Sequence, residues 1–394
     1  MKRGIFPLIA VTLGVVVWMP VITWAQVNSG STGSDGALNP STSSTINMAD
    51  HPTGIYNYTS VNIAGGISVN FTPNAANTPV VWLVQGNVVI SGTVDVSGQG
   101  PQGGNCSAAG GLGGPGGYRG GNGANGGTLS ATAGQGPGGG LPGPNGANAS
   151  YGALACTNGT TPPSLIIYGN AFLIPLLGGS GGGGSTNASN GGGGGGGAIL
   201  IAASGTITIN GNINASGGGG ACCYNNGCAG GGSGGAVRLV ASRITGTGNI
   251  SANGAGCGNG RVRFDTYEND LSGGVTSPFS QGSQFVIIPT AGQGAQLSVV
   301  SVAGVSVSAS PTGLLATPDA VVSAQQGNPI AIVVQCTNIP LNTPITVSVT
   351  PMNGSPVSGT GYNTTGTQAS STATVTLTLP RGGGLIYAAA ATGN

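Results

Sequence analysis

At 394 residues, with 82 glycines, eight basic side chains against seven acidic ones and a formal net charge of +1, the chain has almost no electrostatic character. Nucleic-acid binding is excluded, because it needs clustered lysine and arginine to displace counterions. Collagen is excluded because glycine does not recur at every third position, and disorder is disfavoured because 38% of the residues are hydrophobic and only 4% charged.

Met1, Lys2 and Arg3 make a positive start, Ile5 to Ile22 is almost wholly apolar, and Thr23 and Ala25 place small residues just before Gln26. This pattern predicts a secretory signal peptide over residues 1–25, with Gln26 as the first residue after cleavage. Basic stop-transfer flanks are missing after Gln26, so no membrane span is expected once the signal is removed. The exported chain would hold six arginines, no lysine and seven carboxylates, a net charge of −1. Charge so near zero favours association.

Residues 26–54 read as an N-terminal extension or cap, and Ile55 to Phe71 as a first, atypical rung. The strongest signal follows. Val88–Gly98 (VVISGTVDVSG), Ile207–Gly217 (ITINGNINASG) and Ile244–Gly254 (ITGTGNISANG) align without a gap. Val88, Ile207 and Ile244 coincide, as do Gly92, Gly211 and Gly248, then Val94, Ile213 and Ile250, then Gly98, Gly217 and Gly254. Apolar residues alternate with Thr, Asn and Ser on either side of a central glycine, which reads as strand, corner, strand. Each copy follows an apolar strand: Val80–Val84, Ala198–Ala203 or Ala236–Ala241. Such a unit cannot bury its own apolar face, whereas stacked units can. The expectation over residues 55–291 is a parallel β-helix or β-solenoid.

Glycine tracts from 98 to 146, 178 to 197 and 217 to 235 separate the rungs. They read either as flexible loops or as a packed layer of polyglycine-II strands, which nothing projecting would keep apart. After Gly292 glycine thins out. Gln296–Ser308, Pro329–Cys336, Thr343–Val349 and Ser371–Leu379 then show period-two strands, predicting a Greek-key, immunoglobulin-like β-sandwich over residues 292–394. The fold class is all-β throughout.

Chemistry has few places to hide. The lone histidine, His51, sits beside a proline and reads as a surface residue. No GxSxG, HExxH or Walker motif is present, and no cofactor is expected. The acids are Asp35, Asp50, Asp95, Asp265, Glu268, Asp270 and Asp319; only Asp265, Glu268 and Asp270 cluster. They are a weak calcium candidate, because such a site needs six to eight oxygens. The plainer reading is a loop capping the last rung, ion-paired with Arg238, Arg243, Arg261 and Arg263. Among seven cysteines, Cys106, Cys156, Cys222, Cys223, Cys228 and Cys257 are disulfide candidates, as befits an exported chain. Cys336, at an apolar strand end, is the thiol left over.

The order SDGAL, VVWLVQGNVVISGTVDVSG, GGGSGGAVRLVASRITGTGNISANGAG and GRVRF, over about residues 34 to 265, resembles a loose group of glycine-rich exported bacterial proteins that look like distant relatives of β-helical surface adhesins. The resemblance implies export and architecture and transfers no catalytic residue. Together these readings point to a secreted, non-enzymatic structural or adhesive protein of the cell surface or matrix, self-assembling into a homo-oligomer or fibre and able to contact surface glycans. The alternative is a module whose Thr and Asn rows hold a carbohydrate or ice lattice. A third reading is a degenerate polysaccharide lyase using acids such as Asp265.

Overall fold

The computed structural model describes residues 27–103, 107–124, 130–159, 161–164, 166–223, 227–283, 285, 296–308, 311, 318–352 and 355–390. The expected signal peptide, Gln26 and Cys106 lie outside the described residues.

Short β-branched and aromatic runs broken by glycine form strands. In chain order they are β1 (Ala37–Leu38), β2 (Ser44–Asn47), β3 (Ile55–Tyr58), β4 (Ser60–Ile63), β5 (Ser68–Thr72), β6 (Val80–Val84), β7 (Val88–Ile90), β8 (Thr93–Asp95) and β9 (Ala198–Ala203). Then come β10 (Thr206–Ile209), β11 (Asn212–Asn214), β12 (Ala236–Val240), β13 (Arg243–Gly246), β14 (Asn249–Ser251), β15 (Arg261–Asp265), β16 (Glu268–Leu271) and β17 (Phe279–Gly282). Successive strands enter three parallel sheets in rotation. β1, β4, β7, β10, β13 and β16 form the first, β2, β5, β8, β11 and β14 the second, and β3, β6, β9, β12, β15 and β17 the third. In the last turn a single parallel bridge, Ile250 to Val275, stands in the second sheet's place.

The repeat read from the sequence is a physical register. Val61, Val88, Ile207 and Ile244 stack in the first sheet, and Val69, Val94, Ile213 and Ile250 in the second. Tyr56, Trp82, Ile201, Leu239 and Phe264 stack in the third. All belong to one buried cluster between the sheets, where a fully buried aliphatic side chain contributes about 1.5–3 kcal/mol. The corner glycines stack as well: a Cβ on Gly211 would strike the carbonyl oxygen of Gly92, and one on Gly248 that of Gly211.

The third sheet is buried on both sides, with β9 and β12 buried at every residue. Its outer face, including Leu83, Leu200, Ala202 and Val240, packs with Val27, Leu176 and Phe285. Tyr151, Tyr168 and Leu173 pack with Ala198 and Ala236. A parallel sheet covered on both faces is written as continuous apolar runs, which explains VVWLV and AILIAA. The segment expected as a capping loop is one more turn of the stack: Arg261–Asp265 and Glu268–Leu271 are β15 and β16. RVRF takes the register of AVRL, so Arg263 stacks on Arg238.

The long glycine excursions all leave after a strand of the second sheet and return at the third. They are packed. Gly192 donates to Gly121, Gly193 to Gly230, Gly194 to Gln99, Gly195 to Tyr118 and Gly196 to Ser233; the same five accept from Gly111, Gly182, Gly218, Gly114 and Gly179. Residues three apart, 192 with 195 and 193 with 196, bond to the same pair of neighbouring segments. Three residues per turn is the period of the polyproline-II screw. One segment thus bonds to six others through its backbone alone, and no buried amide along it is left unpaired.

The remaining strands are β18 (Gln296–Val302), β19 (Val305–Ser306), β20 (Ile330–Thr337), β21 (Pro344–Pro351), β22 (Val357–Thr367), β23 (Ser370–Leu377) and β24 (Gly384–Ala390). They form one antiparallel sheet, ordered β19-β18-β20-β23-β22-β21-β24. β20 lies beside β23 at the end of the β21–β22–β23 meander, a Greek-key connection. Where two facing sheets were expected there is one curled sheet, because the 11-residue β22 pairs with both β21 and β23. Alternate residues of β20, β21 and β23 bury Ile332, Val334, Val347 and Val375 inside the curl.

Candidate functional site

The three clustered acids do not converge. Asp265 ends β15 in the third sheet, whereas Glu268 and Asp270 lie on β16 in the first. Asp265 is fully buried between two guanidiniums: Arg238 Nη2 stands 2.9 Å from one carboxylate oxygen and Arg263 Nη2 2.7 Å from the other. Burial pushes the Arg238 guanidinium below its ordinary range and Asp265 opposes that shift; it stays charged, as arginine does in proteins. Phe172 lies against Arg263, 5.3 Å from the guanidinium carbon to the ring centre. Arg243 pairs with Glu268 at 3.4 Å and Asp270 at 2.7 Å, in the open. Each acid is thus matched to arginine. Among the described residues no group of three metal-ligating side chains forms, so neither the calcium reading nor a carboxylate pair for the lyase reading has support.

His51 is engaged structurally. Its Nε2 lies 3.2 Å from Asp35 Oδ1 and its ring stacks on Tyr56 at 4.1 Å. Asp35 in turn flanks β3: its Oδ2 accepts from the Asn57 amide at 2.5 Å and its own amide donates to Asn57 O at 2.9 Å.

Disulfides join Cys156 to Cys257 and Cys222 to Cys228, and Cys223 is disulfide-bonded too. Cys336 is buried and free, with burial pushing its thiol upward. Among the described residues Cys257 lies in the short connection between β14 and β15, and Cys156, Cys222, Cys223 and Cys228 in the long connections between the second and third sheets. There the turns knit together: Ser185 Oγ donates to Pro144 O at 2.8 Å, Asn190 Nδ2 to Gly227 O at 2.6 Å, and Asn158 Nδ2 to Gly146 O at 2.8 Å. The Cys228 amide donates to Asn145 Oδ1 at 2.8 Å. No motif announced this cluster, although the cysteine positions pointed to it.

Two further surfaces could bind. The second sheet carries outward rows Thr45, Asn70, Asp95, Asn214 and Ser251, and Ser68, Thr93, Asn212 and Asn249, about 4.8 Å apart from rung to rung. At one mouth of the curled sheet a cleft of about 470 Å³ is lined by Val302, Ile330, Val349, Leu379, Ile386 and Arg381. The Arg381 guanidinium donates to the Ala324 carbonyl. Tyr387 links this sheet to the glycine layer, its hydroxyl accepting from the Gly136 amide at 2.7 Å and its ring meeting Tyr118 edge-on.

No protein family model matches the chain, and neither a curated protein nor a solved structure matches it. Among the described residues no helix is long and apolar enough to cross a membrane.

Proposed function

We propose that the chain is an exported structural and adhesive protein of the cell surface or extracellular matrix. Residues 55–291 are read as a parallel β-solenoid bearing a polyglycine-II layer, and residues 292–394 as a separate unit built on a curled antiparallel sheet with a Greek-key connection. The observation that supports this best is the backbone lattice of the glycine layer, with three residues per turn and six neighbours to one segment. Such a slab is held without side chains and without charge, which suits a spacer or display platform. Disulfides at its turns fit an oxidising, extracellular setting.

Self-association is assigned to β24. At each end of the stack one edge strand meets charge, β3 with Asp35 and β16 with Glu268 and Asp270, and charged edges resist strand addition. Among the described residues β24 pairs only with β21, and its sequence, GLIYAAA, holds no charge. Sedimentation and negative-stain microscopy of the exported protein test this. Oligomers or filaments are expected, and Ala389→Lys, at an exposed edge position, should reduce them. A monodisperse monomer under oxidising conditions would remove self-assembly from the proposal. The polar rows of the second sheet support the second reading, a lattice of carbohydrate or ice on the rung face. Ice-growth inhibition by monomeric protein would favour it.

A further inference from the structure

The turns at the far end of the glycine layer form a built surface. At about 3.1 Å per residue, the seven steps from Gly197 back to Asn190 carry the chain about 20 Å from the solenoid corner. Turns 143–146, 156–159 and 185–190 meet there beside Cys222, Gly227 and Cys228, tied by the amide and hydroxyl bonds described above and by the Thr186 amide donating to Gly143 O at 2.7 Å. Cys156–Cys257 and Cys222–Cys228 pin them. Pro144, Thr157, Gly159, Thr186 and Asn187 face solvent. Within the knot, the buried atoms Asn190 Oδ1 and Thr161 Oγ1 have no hydrogen-bond partner.

The composition of this surface differs from that of a merely structural turn set. A spacer needs only glycine and the backbone, yet here Asn, Ser and Thr concentrate while Asp, Glu, Lys, Arg and His are absent from turns 143–146, 156–159 and 185–190. Binding residues gather on loops carried by rigid scaffolds, and Ser, Gly and Asn supply adaptable hydrogen bonding in such loops. Side-chain amides and hydroxyls both donate and accept, which is what sugar hydroxyls require. The lack of charge gives no attraction to phosphate or to acidic polymers.

We propose that this turn cluster is a recognition surface for neutral polysaccharide. It rests on the adhesive reading and gives that reading its contact point. The test uses the full exported protein with its disulfides intact, immobilised on beads. Retention would be measured on dextran, β-glucan and chitin, with alginate as the acidic control and intact cells as a separate arm. Variants are Thr157→Ala/Thr186→Ala/Asn187→Ala at the turns and Asn70→Ala/Asn212→Ala on the rung face. All five positions are exposed, so unchanged unfolding midpoints are expected and would be checked. The expected result is retention on at least one neutral polymer, none on alginate, a loss of at least tenfold in the turn variant and no change in the rung variant. Full retention by the turn variant overturns the assignment to the turns while leaving adhesion standing. Binding to no neutral polymer overturns the ligand class. If intact cells are not bound either, the adhesive reading falls with it.

Discussion

Alanine placed at two glycines of the packed layer should have opposite effects. A Cβ on Gly193 would land on the carbonyl oxygen of Gly218, with the carbonyl carbons of Gly218 and Gly219 next to it. These are backbone atoms and cannot rotate aside. Moving them strains the bonds from Gly193 to Gly230 (2.9 Å) and from Gly218 to Gly194 (2.8 Å). Overpacking costs about 1–3 kcal/mol, and each lost hydrogen bond adds about 1 kcal/mol, so Gly193→Ala should destabilise by about 2–5 kcal/mol. Gly219 is exposed and a Cβ there meets nothing within 4 Å. Gly219→Ala should instead stabilise by about 0.4–1 kcal/mol, by restricting the unfolded chain. Guanidinium unfolding with disulfides intact measures both. Equal midpoints for the two variants would mean that the tract is not packed, and the lattice would fail with it.

Asp265→Asn leaves Arg238 and Arg263 buried without a counter-charge and should cost about 3–5 kcal/mol, measured by the same unfolding series. Replacing Cys156 and Cys257 together by serine opens a loop spanning 101 residues; chain entropy puts the loss near 4–5 kcal/mol, and wild-type stability in the double variant would argue against that disulfide. Burial, helped by Asp50 and Asp35, raises the Tyr56 phenol from 10.0 to about 12. Its contribution is therefore complete below pH 10 and lost as pH rises from about 10 towards 12, so thermal midpoints should hold steady from pH 7 to 9 and then fall, less steeply in Tyr56→Phe. Intact-mass measurement of exported protein should show Gln26 as the first residue; a mass retaining Met1 would undo the signal-peptide reading.

What the sequence made legible follows from where the information lies. The rung register was readable because burial of Val88, Ile207 and Ile244 in one column forces a repeat on the side chains. The double cover of the third sheet was written in VVWLV and AILIAA, but the covering residues, Val27 and Tyr151 among them, are remote in sequence and carry no pattern. β15 and β16 read as a loop because charges make RVRFD and ENDL look solvated, although those of RVRFD at Arg263 and Asp265 are buried with Arg238 and those of ENDL pair with Arg243 in the open. β22 and β24 leave no pattern because glycine, threonine and alanine give weak alternation, and without β22 a curled sheet reads as a sandwich. The glycine tracts fit packing and flexibility equally well as sequence, because their order resides in backbone hydrogen bonds, which leave no side-chain signature. Cysteine spacing marked the turns without giving their pairing.

Immunogold electron microscopy of intact, unpermeabilised native cells, with antibody raised against the folded protein, tests the surface role most directly. Gold on the outer surface or in extracellular material is the predicted result. Label that appears only after permeabilisation would contradict it.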